Sequence, residues 1–191
     1  MIKDIAIRNR SYRRFDESRP VTREAMIDWV DATRYAASSI NFQPLKYLVI
    51  DRPEDCAALF PLTGWARRLP EYAGPPEGYR PTGYIVICCD LTIAESVQRF
   101  DRDIGIVAQT IMLAAVEAGF GGCMIGNFPK KSVADLLKLP EHLPPCLILA
   151  LGAPGEEIIL EDAAPGADIG YYRDADFVHH VPKRTLEEIL L

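Results

Sequence analysis

Apolar positions recur along this chain in two rhythms, one helical and one strand-like. Between residues 22 and 36, Met26, Ile27, Trp29, Val30 and Thr33 return at helical spacing, with Thr22 as a good N-cap and Glu24 in the first turn, which predicts a helix there. Residues 1–15 form a short amphipathic segment with Ile2, Ile5, Ala6 and Ile7 on its apolar side. Three apolar runs bounded by turn residues read as strands: 45–51 (LKYLVID), 84–90 (YIVICCD) and 146–151 (CLILAL), the second of them buried on both faces. Residues 92–118 read as one helix. Its later part, IGIVAQTIMLAAVEA, is apolar on nearly every side, and such a helix is buried all round, most simply with a second copy of the chain covering one face. A short strand over 123–125 follows the glycines, and Ser132 with Asp135 predicts a capping box for a helix ending before Pro140. Residues 61–83, crowded with proline and glycine, read as a substrate-facing flap, 152–182 as mostly loop, and 184–190 as a terminal helix or tail. Strands separated by helical segments give an α/β or α+β class with a mixed sheet, in one domain of 191 residues.

Charge narrows the choice of partner. There are 27 acidic against 21 basic residues, a net charge of −6, and the basic residues cluster only at 8–14 and 183–184. Two small positive islands on an acidic protein suit a small anion better than nucleic acid or an anionic membrane. The five cysteines are odd in number, form no CxxC, and mostly lie in or beside apolar runs, so core filling in a reducing compartment is expected. No apolar stretch at the N-terminus resembles a signal peptide, and the longest apolar region, around Ile104–Val116, is too short to cross a bilayer. The expectation is a cytoplasmic protein.

Four segments could carry chemistry. Arg10-Ser11-Tyr12-Arg13-Arg14 offers guanidinium forks and a hydroxyl suited to a phosphate monoester, although taken alone it also reads as a solvated basic arm. Ser38-Ser39-x-Asn41-x-Gln43-Pro44 could line a planar polar ligand, or be an ordinary polar connection. Gly121-Gly122-Cys123-Met124-Ile125-Gly126-Asn127 permits close backbone approach but lacks a dinucleotide fingerprint. Lys183-Arg184 follows His179-His180, whose spacing gives no metal site with the one other histidine, His142. No nucleophile motif is present, and no catalytic side chain is nominated.

Taken in order, these segments resemble the nitroreductase family of FMN enzymes. RNRSYRRF is similar to that family's Arg-Ser-x-Arg phosphate arm, AASSINFQP to its Ser-Ser-x-Asn-x-Gln-Pro loop, DIGIVAQTIMLAAVEAGFGGCMIGNF to its long dimer helix and glycine turn, and VPKRTLEEIL to its C-terminal basic signature. The resemblance implies a three-layer α+β fold with helices on both faces of a central mixed sheet, and an intertwined homodimer with FMN at the interface. It implies that Arg10 and Ser11, joined by Lys183 or Arg184, hold the phosphate, and that Arg13 lies near N1 and O2 of the isoalloxazine. Ala37, Ser38 and Ser39 would come from the partner subunit, Asn41 and Gln43 would edge the ring, and Ile125 and Gly126 would bring a backbone N–H near N5. The implied activity is ping-pong reduction of an electron-poor acceptor, a nitroaromatic or a quinone, at the expense of NAD(P)H. Other flavin chemistry on the same fold, or flavin storage without turnover, stands as the alternative.

Overall fold

The computed structural model describes residues 1–69 and 71–191. Its element order is α1 (Ile2–Arg8), β1 (Phe15–Asp16), α2 (Arg23–Asp31), β2 (Leu45–Ile50), α3 (Pro53–Leu59), β3 (Gly83–Cys89), α4 (Asp101–Glu117), β4 (Gly121–Ile125), α5 (Lys130–Leu136), β5 (Pro145–Pro154), β6 (Ile158–Ala163), β7 (Tyr172–Arg173), β8 (His179–Arg184) and α6 (Leu186–Ile189). Short 3-10 turns join several of these.

The long strand β5 organises the sheet. One of its edges pairs antiparallel with β3, which pairs in turn with β2; the other edge carries β4 and then β1. A parallel bridge from Ser11 to Gly122 attaches the N-terminal arm to the free edge of β4 and makes the sheet mixed. Because side chains alternate along β3, its two faces feed two cores. Tyr84, Val86 and Cys88 pack with Cys56 and Leu59 of α3 and Val133 of α5. Ile85 and Ile87 pack with Met26 and Trp29 of α2 and with Val107, Ile111 and Ala115 of α4. The result is the expected three layers, α2 and α4, sheet, α3 and α5, in an α+β fold. All seven residues of β3 are buried, as its unbroken apolar run predicts.

Several boundaries differ from the sequence expectation. The helix expected over 92–118 begins only at Asp101, because Asp90 turns the chain first. Its carboxylate accepts from the Thr92 N–H at 2.9 Å and hydroxyl at 2.6 Å, and its carbonyl accepts from Ile93 and Ala94. Helix α5 starts at Lys130, so Ser132 lies inside it rather than capping it, and Lys131 pairs with Asp135 at 2.7 Å one turn on. The region expected to be mostly loop after 152 holds a second sheet, ordered β6-β8-β7, with β6 and β8 parallel. Its strands are short and half polar, so alternation is hard to see in the sequence. The described residues of 61–83, expected to form a substrate-facing flap, are anchored to the rest of the chain at several points. Trp65 is buried and donates to the Thr63 hydroxyl at 2.9 Å, and the Tyr72 hydroxyl donates to the Arg13 carbonyl. Pro70 lies outside the described residues.

Helix α4 is not buried on every side within one chain. Ile104, Val107, Ala108, Ile111 and Met112 are buried, whereas Gly105, Ile106 and Gln109 are exposed. Helix α1 buries none of its residues, leaving Ile2 and Ile7 in solvent. All five cysteines are free and at least half-buried, and burial pushes the Cys56 and Cys88 thiols up to about 12. Among the described residues no helix is long and apolar enough to cross a membrane.

Candidate active site

The N-terminal arm reaches its place through the sheet. After α1 the chain runs extended, with the Tyr12 N–H donating to the Gly122 carbonyl at 2.9 Å. A Cβ at Gly122 would fall on the Ala150 carbonyl, so this close approach of arm, β4 and β5 needs a glycine. Glu156, just past β5, then pins the arm: its carboxylate accepts from the backbone N–H groups of Arg13 and Arg14 and pairs with Arg173 at 2.5 Å, almost wholly buried. With Tyr72 on its carbonyl, Arg13 is held at both ends of its backbone.

Around this arm lies a cleft of about 300 Å³, lined by Arg10, Ser11 and Arg13 on one side and, on the other, by Tyr171 just before β7 and by His179 and Lys183 of β8. Arg13 is only 9 % exposed. Its guanidinium sits 4.7 Å over the Tyr171 ring and donates to the Ser11 carbonyl at 3.3 Å and to His179 Nε2 at 3.1 Å. None of Arg10, Arg13 and Lys183 has a carboxylate within ion-pair distance among the described residues, and the Nε atoms of both arginines are buried without a partner. Arg13 is a buried charge without a counter-charge, which is costly, while Arg10 is half-buried and Lys183 exposed at the rim, so a cleft of this kind favours an anion.

A second, smaller cleft of about 140 Å³ gathers Ala37, Ser38 and Gln43 beside Thr33 and Tyr47. Here the organiser is Asp103, buried in the first turn of α4. Its carboxylate accepts from the Ser38 hydroxyl at 2.6 Å and the Ser39 N–H at 2.9 Å, and the Ser38 oxygen accepts in turn from the Gln43 N–H at 3.0 Å. The Gln43 amide donates to the Asn41 side-chain oxygen at 2.9 Å. This geometry bends the backbone into the left-handed region at Ile40 (φ 50°), Asn41 (φ 57°) and Gln43 (φ 50°).

The structure therefore sorts the sequence-predicted residues into groups. Arg10, Ser11, Arg13 and Lys183 share one cleft, while Ala37, Ser38 and Gln43 line another, with Ser39 and Asn41 in the same loop. Arg184 is exposed at the end of β8 and lines neither. Ile125 is buried at the end of β4; Gly126 is exposed, and a Cβ there would meet nothing within 4 Å, which leaves room for a ligand against the backbone. A model of the nitroreductase family matches residues 7–71 and 91–153, spanning the arm, the serine loop, α4 and the glycine strand. The chain belongs to the nitroreductase family.

Relatives agree with that assignment. An oxygen-insensitive NADPH nitroreductase of Salmonella typhimurium is 30% identical over 200 residues, covering 96% of this chain and 75% of the relative. A Cr(VI) reductase of Pseudomonas sp. is 23% identical over 188 residues, covering 88% and 73%. Among solved structures, a nitroreductase family protein of Streptococcus pneumoniae superposes with a TM-score of 0.68 at 16% identity, covering 100% of this chain and 99% of that one. An Exiguobacterium sibiricum protein in complex with FMN superposes at 0.67 with 20% identity, covering 82% and 89%. The chain is thus an oxidoreductase by family, with the fold these neighbours share.

Sequence reasoning missed three residues that organise these two clefts. Asp103 and Glu156 draw no reading of their own, and His179 reads only as half of a pair without metal-ligand spacing. Nothing local in the sequence points to Asp103, Glu156 or His179, because each meets its partner only in the fold.

Proposed function

We propose that this protein is an FMN-dependent NAD(P)H oxidoreductase that reduces an electron-poor acceptor, such as a nitroaromatic or quinone, by a ping-pong cycle, as a cytoplasmic homodimer. The observation that carries the reading is the cationic cleft around Ser11. Arg10, Arg13 and Lys183 converge there without a carboxylate, and two guanidinium Nε atoms are buried unsatisfied. A phosphate monoester supplies the missing charge and acceptors.

When bound, the flavin supplies hydride acceptance from NAD(P)H and hydride or electron donation to the acceptor. The chain's residues do the rest. Arg10, Ser11 and Lys183 bind the phosphate, with exposed Arg184 close behind on the same strand. Arg13, fixed by Glu156 and Tyr72, holds a positive charge beside the ring. Ile125 and Gly126 bring backbone to its edge. The loop of Ala37, Ser38, Ser39, Asn41 and Gln43 closes the site from a second copy, which accounts for its lying in a separate cleft within one chain. Ile2, Ile7, Ile106 and Ile189, all exposed in the single chain, supply apolar surface for that contact.

The test is direct. Purified protein should be yellow, sediment as a dimer, and lose its flavin absorbance anaerobically on addition of NADH or NADPH, regaining it with a nitroaromatic or quinone. Protein that takes up no FMN overturns the proposal, and so does bound FMN that neither nucleotide reduces.

A further inference from the structure

We infer that His179 is a positioning residue for Arg13: a neutral hydrogen-bond acceptor that aims the guanidinium into the cleft without cancelling its charge. This deepens the reading of the arm cleft as a flavin phosphate and ring site, and rests on it.

The chemistry of the pair fixes the arrangement. A guanidinium has only donors, so at 3.1 Å between Arg13 Nη1 and His179 Nε2 the imidazole must present a lone pair there. The ring is then neutral with its proton on Nδ1. That ring is 1 % exposed and tilted against Tyr171 at a centroid distance of 5.3 Å, so Tyr171 supports both members of the pair. The surroundings point the same way: burial, and then the charged and titratable groups Arg13, Arg173 and His180, hold His179 far below the usual histidine range, at about 4. Glu156, the nearby carboxylate, is engaged by Arg173 and by the arm's backbone and makes no bond to the ring.

A purely structural role does not explain this residue. His179 Nδ1 is buried with no hydrogen-bond partner, an arrangement that costs stability and that phenylalanine would avoid in the same volume. A carboxylate in this position would hold Arg13 more strongly but neutralise it. Imidazole gives direction and leaves the charge to the ligand.

Three variants separate positioning from packing: His179→Phe, His179→Gln, whose amide oxygen can accept from Arg13, and His179→Glu. For FMN binding to the full-length protein, followed by flavin fluorescence quenching, His179→Phe should weaken affinity at least tenfold while melting no lower than the parent, His179→Gln should recover most of it, and His179→Glu should weaken it while keeping Arg13 ordered. The midpoint potential of the bound flavin should fall in His179→Phe and return toward the parent value in His179→Gln. Unchanged affinity and potential in His179→Phe overturn the inference, as does a His179→Gln variant no better than His179→Phe. A flavin-free arm uses ¹⁵N NMR of the apoprotein: Nε2 should be unprotonated, Nδ1 protonated, and titration should begin only well below pH 6. A protonated Nε2, or titration near 6.5, overturns the inference whatever the flavin result. Should the parent bind no FMN, the function proposed above fails by itself, and affinity for inorganic phosphate across the same variants then judges His179.

Discussion

The two clefts hold ligand-facing side chains in opposite ways. In the arm cleft the charges are left uncompensated while the backbone is over-determined: Glu156 takes two N–H groups and Tyr72 the carbonyl of Arg13. In the serine-loop cleft the side chains are small and neutral, one buried carboxylate gathers them, and the backbone carries three non-glycine residues at positive φ. One half-site spends stability on charge, the other on conformation. Each is incomplete for a flavin: the first has phosphate chemistry and little polar edge, the second has polar edge and no cation directed at a phosphate. Their division within one chain is what the proposed site, shared between two copies, would require.

The sharpest way to break this comparison is to remove the charge. Arg10→Ala together with Arg13→Ala should abolish FMN retention. Each charge-assisted contact is worth about 1.5–3 kcal/mol, so the pair corresponds to roughly a hundredfold loss or more. The fold should survive, since the arm is held through its backbone, and circular dichroism with sedimentation checks that. Flavin content equal to the parent's would mean that the cations serve something else.

Next in size is Asp103→Ala, which strikes the other half-site. It deprives the Ser39 N–H and the Ser38 hydroxyl of their acceptor inside a buried position, a loss on the order of 2–3 kcal/mol measurable by urea unfolding. Unlike the arginine pair, this change should lower stability and flavin affinity together. A variant with parental stability would show that the loop is held by something other than that carboxylate.

This contrast also explains what could be read from the chain alone. Most elements of the three layers, though not α3, were legible because β3 is a continuous apolar run and α2 repeats its apolar residues at helical spacing beside a Thr22 cap, whose hydroxyl does accept from Ala25 at 3.2 Å. That Arg10, Ser11 and Arg13 would lie together was legible because their guanidinium and hydroxyl groups are concentrated in four residues. Asp103, Glu156 and His179 were not, because each acts on a segment between 60 and 170 residues away, through a contact only the fold creates: 65 residues for Ser38, 143 for the Arg13 N–H, 166 for the Arg13 side chain. The late start of α4 was hidden for a related reason. A side-chain turn at Asp90 outcompetes helical propensity there, and propensity is the weaker signal.

Smaller effects sharpen the conformational half of the comparison. Ile40 is β-branched at φ 50°, a region that costs an L-residue about 1–2 kcal/mol and a β-branched one more. Its side chain is 76 % exposed in the single chain, so little packing there offsets the cost. Ile40→Gly should therefore stabilise the isolated chain by about 1 kcal/mol or slightly less, since glycine also loosens the unfolded state. If the same change instead weakens dimerisation in sedimentation experiments, the strain is maintained for the contact with a second copy.

The smallest effect concerns the neighbour of His179. His180 faces the other way, with Nδ1 2.5 Å from Glu161 and Nε2 3.1 Å from Asp174, its ring stacked at 4.7 Å on Tyr172. The hydrogen bonds to Asp174 and Glu161 raise its pKa above the usual histidine range. A raised folded-state pKa stabilises fully below the unfolded value near 6.5, and that contribution disappears as pH climbs through the folded value. His179 has the opposite sign: its depressed pKa gives a contribution present above 6.5 and lost as pH falls toward about 4. Two adjacent histidines thus shape opposite limbs of one stability profile. In melting curves taken from pH 5 to 9, His180→Ala should lose stability at the acid end and converge on the parent in alkali, whereas His179→Phe should flatten the acid limb and leave the alkaline one unchanged. Exposure screens the His180 pairs, so its difference should shrink further in high salt, while that of buried His179 should not. A shift of both variants in the same direction from the parent at the acid end would mean that the two rings share one environment, and the opposite signs assigned to His179 and His180 would have to be redrawn.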